Sequence, residues 1–433
     1  MAGFTRTGWL AGCALILVSC SSKLPVSLVT PLAPVANVPL PAQPHPSMVP
    51  LRGVWLATVS RLDWPPVASI NARTELRISQ QKEALISTLD KLQSLGINTV
   101  FFQVKPDGTA LWPSNILPWS DMLTGKMGEN PGYDPLQFIL DEAHKRGIKV
   151  HAWFNPYRIS VNTKLSTISE LNRTLSLHPA SIFVLHRDWV RTAGDRFVLD
   201  PGIPEVRDWI TSIVAEVVAR YPIDGVQFDD YFYAETAASQ LNDSQTFRQY
   251  GQGFALKADW RRHNTQQLIE QVSRTIKQLK PDVAFGVSPA GVWRNLSHDP
   301  AGSDTRGAAA YDESYADTRR WVQQGLLDYI APQLYWPFSR SAARYDVLAK
   351  WWADVVKPTR TRLYIGIALY KVGEPSKIEP EWTMNHGVPE LQKQIELNES
   401  TPGINGTILF RENYLNQPQT QEAVHYLRAH WGK

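Results

Sequence analysis

Cysteine is scarce in this 433-residue chain: Cys13 and Cys20 are the two present, and none follows them. The body of the protein therefore has no disulfide and no thiol nucleophile, and its stability rests on core packing. An excess of one charge is also missing. Lys and Arg number 44 against 41 Asp and Glu, for a formal net charge of +3. No basic run of the length that marks a nucleic-acid footprint interrupts that balance, so no nucleic-acid partner is expected. No apolar stretch reaches the roughly 20 residues of a membrane-spanning helix. No Gly-x-Gly-x-x-Gly turn follows the first strand pattern, no His-x-x-x-His or calcium-loop spacing occurs, and Gly-x-Ser-x-Gly is missing. Dinucleotide, metal and serine-hydrolase chemistries thus find no support, and the reading is of protein side chains working with no cofactor and no metal.

Aromatic residues, by contrast, are plentiful, with 16 Trp and 15 Tyr. Their flat faces suit both core packing and stacking on sugar rings. Hydrophobic residues make up 43% and charged residues 20% of the chain, the balance of a globular protein with a large core. At the N-terminus, Arg6 precedes an apolar run from Trp9 to Val18 that leads into Leu17-Val18-Ser19-Cys20. This pattern resembles a lipoprotein signal: residues 1–19 are expected to be removed and Cys20 to be acylated. Leu10-Ala11-Gly12-Cys13 fits the same pattern but would leave no hydrophobic region ahead of it. Residues 20–50 are rich in Pro, with no periodic apolar face, and read as an extended tether.

Residues 51–433 read as one domain. Short β-branched and aromatic runs alternate with amphipathic helical patterns, the signature of parallel βαβ units. The strands are expected at 53–58, 99–105, 149–155, 225–229, 283–288, 329–335, 363–368 and 406–410, each followed by a helical stretch. Eight such units close most simply into an α/β fold of the (β/α)8 TIM-barrel type. Long connections follow the first four strands, and all leave from the C-terminal ends of strands, the face on which barrel enzymes place their sites.

The sharpest motif is Asp224-Gly225-Val226-Gln227-Phe228-Asp229-Asp230-Tyr231-Phe232-Tyr233. An apolar strand that ends in two carboxylates and three aromatics sets acids beside ring faces at the barrel mouth. Glycoside cleavage needs this, with one carboxylate facing an oxocarbenium-like centre and one acid delivering a proton. Asp229 is the expected nucleophile or base. The proton donor is Asp230 or Glu412, the latter just past the eighth strand. Neighbouring residues of a strand face opposite ways, so Asp229 and Asp230 share the site only if the strand has broken by 230. Further polar groups at strand ends, namely Asp63, Lys105, Asn155, Tyr157, Arg158, Tyr231, Gln333 and Tyr335, are expected to bind sugar hydroxyl or N-acetyl groups. Among the loop tryptophans Trp64, Trp112, Trp293 and Trp336, the last is the expected stacking platform.

Several of these segments also carry a family resemblance. Arg52-Gly53-Val54-Trp55-Leu56, residues 96–104 from Gly96 to Val104, Tyr133-Asp134-Pro135-Leu136, residues 151–158 from His151 to Arg158, and the Asp229–Tyr233 run are together similar to the glycosyl hydrolase-like family ten, formerly DUF187. The resemblance extends from about Arg52 to the C-terminus. It implies a glycosidase, and with the lipoprotein signal it resembles envelope lipoproteins that act on peptidoglycan glycan strands stripped of stem peptides, in association with cell division. By the same resemblance, and because Ser21 is not Asp, the anchor at Cys20 is expected in the outer membrane, facing the periplasm. More distantly, residues 224–229 are similar to the fourth strand of barrel amylases, whose nucleophile aligns with Asp229. Gln227 replaces the Arg usual there, and the acid ending the amylases' fifth strand is replaced by Ser288-Pro289. A glycan-binding barrel without catalysis, or a hydrolase of another polysaccharide, are the alternatives that the residues leave open.

Overall fold

A computed structural model describes residues 49–233 and 241–432. The signal segment, the lipidation candidate Cys20 and the tether up to residue 48 lie outside the described residues. Eight parallel strands close into a barrel: β1 (Leu51–Leu56), β2 (Thr99–Lys105), β3 (Lys149–Phe154), β6 (Gly225–Phe228), β7 (Ala284–Val287), β8 (Tyr329–Ile330), β9 (Arg362–Ile367) and β10 (Ile404–Leu409). The ring is completed by β1 pairing with β10 on one side, Gly53 opposite Ile408, and with β2 on the other, Gly53 opposite Thr99. All eight expected strands are present, and the (β/α)8 reading holds. Two further strands, β4 (Val190–Ala193) and β5 (Arg196–Leu199), form an antiparallel hairpin in the long connection after β3.

Strand alternation sorts the side chains into two cores. On β2, Val100, Phe102 and Val104 pack outward against the helices, while Phe101 points inward to meet Trp55, Trp153, Tyr329, Tyr364 and Ile408 from five other strands. The barrel centre is thus filled by rings, as a packed layer rather than a pore. Such a layer needs small residues opposite the large ones. A methyl group at Gly225 would fall 2.5 Å from His151 Nδ1, and one at Gly286 would fall 2.2 Å from the Tyr329 ring. Burial pushes His151 down to about 4, so this ring is neutral, its Nδ1 3.0 Å from the Tyr329 hydroxyl.

Local sequence signals bound the helices. Gly96 and Gly147 end helices with φ of 73° and 69°, a conformation that costs other residues a Cβ clash. Asp134 caps the helix Pro135–Lys145 by accepting from the Gln137 N–H at 3.0 Å. The sixth barrel strand is shorter than expected. Regular pairing stops at Ile330, and Pro332, which has no N–H, interrupts it before Gln333 bridges to Ala290 and Gly366.

Candidate active site

At the C-terminal mouth of the barrel lies a cavity of about 410 Å³ into which both Asp229 and Asp230 open. The last regular residue of β6 is Phe228, so both acids follow the strand and alternation no longer sends them apart. Phe228 and Val226 face the helices, which leaves Gln227 and then Asp229 on the inner side of the same strand.

Asp229 is buried and held by donors. Its Oδ2 accepts from the Asn155 side-chain amide and from Trp153 Nε1 at 3.3 Å, and its Oδ1 accepts from the Tyr231 N–H at 3.3 Å. Asn155 is fixed in turn, because its Oδ1 accepts from Gln103 Nε2 at 2.6 Å. Gln103 is oriented by accepting the backbone N–H groups of Thr58 and Val59, each at 2.9 Å. Three strand ends thereby lock one carboxylate in place. Asp230 is half-buried and accepts from Gln333 Nε2 at 3.1 Å, while that same amide also donates to the Ser288 carbonyl at 3.0 Å. Tyr335 lines the cavity nearby. Desolvation first, then Tyr370 and Asp230, push its phenol well above the usual value, so it stays a neutral hydroxyl.

The expected binding residues divide by where their side chains point. Asn155, Arg158, Tyr231, Gln333 and Tyr335 line the cavity together with the two acids. The Arg158 guanidinium lies over the Tyr231 ring at 5.3 Å and donates to the Pro106 carbonyl at 3.1 Å. Asp63, Lys105, Tyr157 and Trp336 are not among the lining residues. Asp63 accepts from the Ala57 N–H at 2.6 Å and the Asn413 N–H at 2.9 Å and pairs with Arg411, tying the loop after β1 to the loop after β10. Lys105 donates to the Asn155 carbonyl at 2.7 Å and so steadies the β3 loop from within. Tyr157 is buried behind Arg158 and Tyr231. Trp336 packs beside Gly291, its carbonyl accepting from Gln394 Nε2 at 3.2 Å. Trp64, Trp112 and Trp293 are buried, and their indole N–H groups donate to Gln81, Glu216 and Asp317.

Glu412 also lies outside the cavity lining. Its Oε1 accepts from Asn416 Nδ2 at 3.1 Å, and its neighbours are Lys91 and Thr88 on the helix Thr74–Ser94. Burial, then the charge of Asp63, push its carboxyl up to about 7. Of the two proton-donor candidates, then, Asp230 alone opens into the cavity with Asp229.

The site also uses residues to which the sequence assigned no binding role. Trp55, Gln103, Trp153, Gln227 and Ser288 all line it, from β1, β2, β3, β6 and the end of β7. A usable signal was present: each sits on the inward parity of its strand, near the C-terminal end. Among the described residues no helix is long and apolar enough to cross a membrane, and no cluster of three or more His, Cys, Asp or Glu is placed to hold a metal.

The comparisons with known proteins agree with this architecture. The family model described as glycosyl hydrolase-like 10 matches residues 50–384, a span that holds both cavity acids and ends before Glu412. Glycosyl hydrolase DigH of Escherichia coli (strain K12) is 74% identical over 428 residues, covering 99% of this chain and 97% of that protein. Glycosyl hydrolase YngK of Bacillus subtilis (strain 168) is 45% identical over 370 residues, covering 85% of this chain and 69% of that protein. Among solved structures, alpha-L-fucosidase isoenzyme 2 from Paenibacillus thiaminolyticus shares the fold, with a TM-score of 0.51 at 13% identity. That match covers 88% of this chain but spans about half, 49%, of the fucosidase chain.

Proposed function

The chain belongs to the glycosyl hydrolase-like 10 family, and from that premise we propose that it hydrolyses glycan strands of the bacterial cell wall, those freed of stem peptides, by carboxylate acid and base chemistry. The observation that carries the reading is the pair Asp229 and Asp230 opening into one cavity at the barrel mouth. Asp230 is the proton donor to the glycosidic oxygen, and Asp229, held in place by its donors, stabilises positive charge as it develops on the sugar. Trp55 and Trp153 supply ring faces for the pyranose in place of Trp336. The wall as substrate is supported by the lipoprotein-like signal ending at Cys20 and the Pro-rich tether, which suit a domain anchored in the envelope, and the family resemblance together with Ser21 favours the outer membrane, facing the periplasm. Division-site proteins are partners that the family resemblance suggests.

The test is direct. Purified peptide-free glycan strands are incubated with the domain and the products sized. Shortened strands support the reading; binding without shortening makes this a glycan-binding barrel, and turnover of a storage polysaccharide alone moves the enzyme to another substrate.

A further inference from the structure

Among the described residues, Asp229 and Asp230 are the acids that line the cavity; the remaining wall is built of Trp, Tyr, Phe, Gln, Ser, Asn, Arg and aliphatic side chains. Hydrolysis with an enzyme nucleophile or base needs carboxyls on opposite faces of the sugar carbon. Here both are rooted on adjacent residues at the end of one strand, whose Cα atoms lie ~3.8 Å apart, and both open into the same cavity, an arrangement that suits two carboxyls serving one side of a bound sugar. A second observation concerns the floor. Gln227 is fully buried on the inner side of β6, just below Asp229; its Oε1 faces the Tyr329 hydroxyl at 3.5 Å, and its Nε2 has no hydrogen-bond partner. A buried amide donor is normally satisfied, and this one lines the cavity, so a ligand acceptor is its natural partner.

The geometry points to the substrate's own 2-acetamido group as the nucleophile, bound between Asp229 and Gln227. This rests on the glycosidase reading and names the sugar class: a β-linked 2-acetamido sugar at the cleaved position. An acetamido group presents its N–H and C=O in opposite directions and ends in a methyl group. The cavity offers an acceptor in Asp229, a donor in Gln227 Nε2, and apolar faces in Trp55 and Trp153. In a β-linked sugar the acetamido carbonyl reaches C1 from the face opposite the leaving group. As Asp230 gives its proton to the glycosidic oxygen and the C1–O bond breaks, the carbonyl oxygen bonds to C1. The result is a cyclic oxazolinium ion, whose N–H donates to ionised Asp229. Water then adds to C1, Asp230 takes back a proton from it, the ring opens, and the acetamido group is restored. Configuration is retained, with no covalent bond to the protein.

The experiment uses peptide-free strands that are chemically N-deacetylated and then re-acylated with acetyl, fluoroacetyl, difluoroacetyl or trifluoroacetyl groups. Each fluorine weakens the carbonyl as a nucleophile, so cleavage falls about tenfold per fluorine, and strands left with free amines are not cut. Rates within about threefold across the series, or equal cleavage of the free-amine strands, overturn acetamido participation while leaving the glycosidase reading intact. If re-acetylated strands are not cut at all by folded protein, that reading fails and this one with it. A separate arm tests Gln227 as a positioning residue. Gln227→Met lowers kcat on acetylated strands about tenfold or more with KM within about threefold, whereas an unchanged kcat in folded variant removes Gln227 from the proposal.

Discussion

Replacing Glu412 with Gln separates a well-placed acid from a merely well-tuned one. Its carboxyl is pushed up to about 7, a value suited to a general acid at neutral pH, yet it faces Asn416, Lys91 and Thr88 instead of the cavity. Burial is the main cause, so the cost of ionising Glu412 falls on the fold. The folded carboxyl keeps its proton up to about 7, while the unfolded one releases it near 4.5. Between those values the folded state binds more protons, and stability therefore falls as pH rises. At about 1.4 kcal/mol per pH unit, the full window of about 2.5 units is worth at most roughly 3.5 kcal/mol. Gln cannot ionise, so Glu412→Gln is expected to match the wild type near pH 5 and exceed it at pH 8 by up to that amount. His151 complicates either profile taken by itself. Its folded value of about 4 against an ordinary 6.5 removes stability as pH falls through that interval, the opposite slope. Asp107, raised to about 6 by burial and then by Asp121, has the same sign as Glu412. Subtracting wild-type from variant midpoints in urea at each pH cancels both. The same preparation is assayed on glycan strands, where activity is expected to be unchanged. A variant that is less stable at pH 8, or inactive while folded, refutes the placement of Glu412 as a buried spectator.

Other substitutions probe the supports of the site. Asp63→Asn leaves the Arg411 guanidinium buried with a weakened partner and is expected to cost about 3 kcal/mol, read from the shift in urea midpoint. Asn155→Ala removes a donor from Asp229 and frees Gln103, so kcat is expected to fall by about 100-fold with only a modest change in stability. Trp336→Ala is expected to lower the melting temperature through lost packing while kcat/KM on strands stays within about threefold; a large fall in kcat/KM would return Trp336 to the site.

The barrel was legible because fully buried parallel strands leave a plain mark: short apolar runs such as residues 99–104, bounded by helix stops at Gly96 and Gly147. Asp229 was legible for the same reason, since the inward parity of β6 passes through Gln227 to it. Whether Asp230 joined it depended on where the strand ended, which a run of aromatics does not reveal. Glu412 and Trp336 show the matching limit from the other side. Position after a strand places a residue in the right loop, but the direction of its side chain is set by packing partners far along the chain, Lys91 for Glu412 and Gly291 for Trp336. Gln103 and Gln227 stood within the motif segments without an assigned role in the site, and their inward parity on β2 and β6 was the available clue. The β4–β5 hairpin had its own signal, two short runs flanking Gly194-Asp195, with Gly194 at φ 59°.

The central claim is that Asp229 and Asp230 together perform the cleavage. The most direct measurement is the turnover of peptide-free glycan strands by Asp229→Asn and Asp230→Asn, each checked for an unchanged unfolding midpoint. Both variants are predicted to lose at least about 1,000-fold in kcat/KM while still binding the strands. Wild-type turnover by either folded variant would contradict the account.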